Sequence, residues 1–96
     1  MRDYEFTVIV RSDMDDQARD ELIERAIGMI PLPEGSEEPV IDRWGRRQLA
    51  YPINKQTEGY YVYVETAMIP EEIAEMERNL TYIDEILRHL VVRKEG

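Results

Sequence analysis

Two runs of helical periodicity in this chain are each bracketed by extended, β-branched segments, and that alternation limits the fold more than any other feature. Tyr4, Phe6, Val8 and Val10 alternate with Glu5 and Thr7, which predicts a first strand over 4–10. Ala18, Leu22, Ile23, Ala26, Ile27 and Ile30 recur at helical spacing and predict a helix over 15–29. Asp13, Asp15 and Asp16 stand at its start, where the helix dipole favours negative charge. Pro31 and Pro33 end it, and 31–39 (PLPEGSEEP) has no period and reads as a surface loop.

Val40 to Ile53 is the second extended segment. Gly45 predicts a bulge or bend within it, and Pro52 has no N–H for a ladder, so both suit an edge strand. Asn54 to Gly59 reads as a polar turn and Tyr60 to Thr66 as the third strand. Pro70 opens a second helix with Ile73, Met76 and Leu80 on one face. Ile86 to Arg93 is the last strand. Two split βαβ units with right-handed crossovers then give a ferredoxin-like βαββαβ sandwich, α+β in class. Its four-stranded antiparallel sheet carries both helices on one face, with the second and fourth strands at the edges. The whole chain, 1–96, is expected to be one domain. Phe6, Val8, Leu22, Ile23, Ile27, Val62, Val64, Ile73 and Leu80 are its expected core.

The net charge is −9, which taken whole argues against a polyanion partner. Its distribution argues otherwise. Residues 13–38 hold nine acids and two bases, and residues 70–85 six acids and one base. The remainder holds nine bases and six acids, so the acidity belongs to the helical layer and the strands are mildly basic. Two readings stay open: a polyanion-binding sheet face opposite an acidic back, or acidic helices that are only solvated. Without cysteine there is no disulfide framework, thiolate metal site or thiol nucleophile. No apolar run suggests a signal peptide or a membrane span, so a cytoplasmic domain is expected. Only three residues follow the last strand, so no tail is expected to add contacts.

Chemistry-bearing clusters are sparse. Asp13, Asp15, Gln17 and Glu24 have the spacing of a calcium loop, but Ala18 stands where glycine is needed, so a capped helix start is expected. His89 is the one histidine and reads as a half-buried strand residue, without metal or triad partners. Glu71, Glu72, Glu75 and Glu77 read as a solvated helix face. No glycine-rich phosphate loop is present, and the acidic Arg11–Asp15 connection would repel an anion. No catalytic site, metal, cofactor or small-molecule substrate is expected. The densest basic and aromatic cluster is Arg43, Arg46 and Arg47 around Trp44, a composition suited to phosphates and stacked bases. Tyr61 and Tyr63 share one strand face, as either a stacking platform or ordinary cross-strand pairs.

Trp44 to Lys55 reads WGRRQLAYPINK, which closely resembles the signature of the ribosomal protein six family of the bacterial small subunit. Met1-Arg2 with Tyr4-Glu5 resembles the family's start, Gly59-Tyr60-Tyr61-Val62 its third strand, and Leu87 to Arg93 its last. The resemblance implies the same sandwich, no enzymatic activity, and a place in the ribosome. It implies binding to central-domain small-subunit ribosomal RNA as a heterodimer with ribosomal protein eighteen of the same subunit, in support of assembly. Carried over by position, Arg2, Arg46, Arg47, Lys55, Arg88 and Arg93 become the expected RNA contacts, to phosphate and sugar. Tyr4, Tyr61 and Tyr63 are expected to stack or to pack on a partner. The edge around Trp44, Leu49, Ala50, Tyr51 and Ile53 is expected to meet the partner protein by strand augmentation. The acidic 31–39 loop is longer than the short connection the resemblance implies.

Overall fold

The computed structural model describes the backbone of residues 2–94 and the side chains of residues 3–94. Its elements are β1 (Arg2–Arg11), α1 (Asp16–Gly28), β2 (Val40–Ile53), β3 (Gln56–Met68), α2 (Pro70–Thr81) and β4 (Ile86–Arg93). The strands lie in the order β2-β3-β1-β4, every neighbouring pair antiparallel, so β2 and β4 are the edges.

Register assigns each side chain to a face, because directly paired residues point the same way. Phe6 lies between Val64 and Val91, and Val8 between Val62 and His89. Leu22, Ile23 and Ala26 of α1 and Met76 and Leu80 of α2 cover that face. Seven of the nine expected core residues are buried, and Ile27 and Ile73 pack partly buried against them. Asp15 caps α1, its carboxylate accepting from the Ala18 N–H at 2.8 Å, which removes the calcium-loop geometry. Pro70 starts α2, and the Ile69 N–H donates to the Pro31 carbonyl at 2.9 Å, pinning the Pro-rich loop at its root.

The β2–β3 hairpin departs from expectation. A six-residue turn over 54–59 is replaced by a two-residue turn, Asn54-Lys55, with β3 starting at Gln56. Both turn residues have positive φ, 49° and 66°, as the mirror-image turn of a twisted hairpin requires. Upstream, Gly45 (φ 82°) and Trp44 form the expected bulge where the register slips between Arg43 and Gly45. A second slip covers 49–52, where Gln48 still pairs Glu58 but Ile53 pairs Gln56. Pro52 sits within it and costs the ladder no donor.

Gly59 is the first β3 residue paired with β1. A Cβ there would collide with Ile9 Cγ2, and Leu49 lies beside the same spot. Gly59→Ala should therefore destabilise the fold by about 1–3 kcal/mol, from overpacking against a branched side chain. A drop in urea midpoint at unchanged slope checks this.

Lys55 should act in the opposite sense. A left-handed conformation costs a side-chain-bearing residue about 1–2 kcal/mol, so Lys55→Gly should raise stability by about 1 kcal/mol. Thermal and urea unfolding measure it.

Candidate nucleic-acid interface

The sheet face away from the helices is crossed by three rows. Glu5 lies between Glu65 and Val92, Thr7 between Tyr63 and Leu90, and Ile9 between Tyr61 and Arg88. Charge thus changes from acidic to basic along the strands.

At the acidic end, Glu5 and Glu65 face each other directly, an unfavourable pair of like charges. The Tyr63 hydroxyl lies between them, against Glu5 Oε2 and 3.0 Å from Glu65 Oε1. Those hydrogen bonds, that to Glu5 first, push the Tyr63 hydroxyl well above its ordinary value of 10.0 and keep it neutral. Lys94 Nζ reaches Glu65 Oε2 at 3.2 Å. Hydrogen bonds from Lys94 and then Tyr63 hold the Glu65 carboxyl below its ordinary value of 4.5. Trp44 stacks on Tyr63 with ring centroids 5.4 Å apart, and its Nε1 donates to Asp42 at 3.0 Å. Tyr63 is therefore one half of a cross-strand aromatic pair with carboxylates around it.

At the other end, Leu49 closes over Ile9 and Gly59, and the hairpin runs on past the end of β1. Tyr51 crosses to the opposite edge of the sheet, where Arg88 Nη1 donates to its hydroxyl. The Arg88 guanidinium lies 6.0 Å from the Tyr51 ring centroid, and that of Arg47 6.0 Å from Trp44.

The predicted positions scatter more than expected. Arg46 pairs with Tyr60 on the helix side, Arg47 with Gly59 on the open side, and Lys55 is in the turn. Arg88 joins them through Tyr51. Arg93 pairs with Tyr4 at the far end of β4, apart from this group. The Arg2 side chain lies outside the described residues. Tyr4 is only 7% exposed and belongs to the core, so it is not a stacking residue. It alternates in phase with Phe6 and Val8. Leu49 is 9% exposed and turned inward, which removes it from a partner-facing edge. Trp44, Ala50 and Tyr51 stay exposed and Ile53 is half-buried. With two slips in its ladder, β2 is a poor template for an added strand.

Ion pairing separates the basic residues. Arg11 pairs with Asp13, Arg19 with Asp16 and Asp20, and Arg43 with Asp20 at 2.6 Å. Arg43 is thereby removed from the basic cluster. Arg25 and Arg78 occupy the last turns of α1 and α2, where cations suit the dipole. Among the described residues, Arg46, Arg47, Lys55, Arg88 and Arg93 make no salt bridge; three of these five are on the hairpin, and Arg88 touches it through Tyr51. Sequence reasoning missed Tyr51 as the residue that ties β2 to Arg88; no local signal spans that separation.

A groove of about 360 Å³ lies elsewhere, between the Gly35–Glu38 stretch and the ends of β1 and β3. Asp3, Glu37, Glu38 and Glu65 line it, so it would repel phosphate. None of the described helices is long and apolar enough to cross a membrane.

A family model described as ribosomal protein S6 matches residues 3–93. The chain belongs to the ribosomal protein S6 family. The small ribosomal subunit protein bS6 of Alkaliphilus metalliredigens is 41% identical over 93 residues, covering 97% of each chain. That of Clostridium novyi is 42% identical over 95 residues, covering 99% of each. The crystal structure of 30S ribosomal protein S6 from Thermotoga maritima superposes with a TM-score of 0.85 at 27% identity, covering 97% of this chain and 87% of that one. The family is structural and not enzymatic, and its place is the small ribosomal subunit in the cytoplasm.

The Lys94–Glu65 pair carries a pH signature. A depressed carboxyl stabilises the fold above its ordinary value of 4.5, and that contribution is lost as pH falls through the lower, folded value. Stability curves of wild type and Lys94→Ala should differ slightly at neutral pH and converge in acid. The effect is small because both side chains are nearly half exposed and the pair is screened by solvent.

Proposed function

We propose that this chain binds central-domain RNA of the small ribosomal subunit as a heterodimer with ribosomal protein eighteen, and supports assembly of that region. The observation that carries the RNA part is the grouping of Arg46, Arg47, Lys55 and Arg88, cations without a carboxylate partner among the described residues. They act on phosphate and sugar, fixing position rather than reading bases. Arg93, and Arg2 by its place in the sequence, are further contacts at the other end of the sheet.

The partner part rests on charge and exposed apolar surface. Glu5, Glu65 and Asp42 surround Trp44 and Tyr63, and Leu90 and Val92 stand exposed beside them. A basic protein suits this half of the face, where RNA would meet carboxylates. The partner therefore packs on the acidic, aromatic half of the open face rather than extending the β2 edge. The net charge of −9 makes the isolated chain a weak RNA binder, and the basic partner offsets it.

A salt titration of binding to a central-domain RNA fragment tests this, with and without the partner. Tight, salt-steep binding is expected only with both proteins. Lys55→Ala or Arg88→Ala should weaken it and lower the salt slope by about one for each phosphate no longer neutralised. Tight binding by the isolated chain at physiological salt would overturn the heterodimer reading. Partner binding without RNA binding would favour a protein-interaction module on the same fold.

A further inference from the structure

We infer that Tyr51 is a positioning residue for RNA, holding the Arg88 guanidinium in place for a backbone phosphate. This rests on the RNA-binding reading above and adds a residue to it. Arg88 is exposed on β4, whereas Arg11, Arg19 and Arg43 are each held by a carboxylate. Arg88 is held by a phenol instead. The difference matters chemically. A carboxylate would orient the guanidinium and cancel its charge together. A neutral hydroxyl accepts one N–H and leaves the charge intact. The contact uses Nη1, and among the described residues the other N–H groups of the fork have no partner and stay open to a phosphate.

The backbone is built to deliver this hydroxyl. Tyr51 and Arg88 are 37 residues apart and sit on opposite edges of the sheet. The contact forms because the 49–52 slip releases Tyr51 from the β3 ladder while Leu49 anchors the segment over Ile9 and Gly59. An exposed arginine that must be ordered on binding loses rotamer freedom, and pre-ordering it recovers affinity without any new interaction with RNA.

The test is a double-mutant cycle on the full chain with its basic partner and the central-domain RNA fragment. Tyr51→Phe keeps the ring and removes the hydroxyl. It should weaken binding about three- to tenfold at unchanged salt slope, because no charge is removed. Arg88→Ala should weaken binding and lower the slope by about one. In the Arg88→Ala background, Tyr51→Phe should have no further effect. An equal loss in both backgrounds would mean the hydroxyl touches RNA itself, and would overturn the positioning role. So would a silent Tyr51→Phe beside a damaging Arg88→Ala. Those results leave the RNA-binding reading intact, whereas no binding by the wild-type pair overturns both.

Discussion

The shape of the functional end depends on one close approach. Gly59 has no Cβ, so Ile9 of β1 fills that space and Leu49 of β2 closes beside it. Three strands are thereby fastened on the open side of the sheet, beyond the reach of the helices. The hairpin can then run past β1 without a partner strand. The bulge at Trp44-Gly45, the slip over 49–52 and the Asn54-Lys55 turn supply its bends. The WGRRQLAYPINK run is thus largely a specification of backbone path, with glycine, proline and the turn pair at the positions where the ladder breaks. The exposed side chains between those points are left for binding.

Electrostatics then divides the molecule. Carboxylates on α1 and in the connection before it hold Arg11, Arg19 and Arg43. The same kind of carboxylate on the open face, Glu5 opposite Glu65, is stabilised by Tyr63 and Lys94. Along the sheet, the hairpin end keeps cations without ion pairs, and the Trp44–Tyr63 stack keeps carboxylates around it. A chain of net charge −9 can in this way carry a cationic end and an acidic half-face within one sheet.

Much of this is legible in the sequence, for local reasons. Periodicity locates both helices, the extended segments 40–53 and 86–93 coincide with β2 and β4, and Gly45 marks the bulge in β2. The same periodicity places Tyr4 in phase with Phe6 and Val8, so the stacking expectation at Tyr4 contradicts the alternation that predicts its strand. The turn reads too long in the sequence because Lys55 stands where a mirror-image turn usually has glycine. Three features depend on partners distant in the chain and carry no local mark. Leu49 is buried beside Gly59, ten residues on, Arg43 is taken by Asp20, and Tyr51 finds Arg88 across the sheet.

Hydrogen-exchange mapping of the chain, alone, with its basic partner, and with partner plus RNA, tests the division of the surface most directly. The account predicts that the partner protects β1, β3 and β4 around the Trp44–Tyr63 half, and that RNA adds protection over residues 46–56 and the start of β4. Protection by RNA spread over α1 and α2, with none gained over residues 46–56, would contradict it.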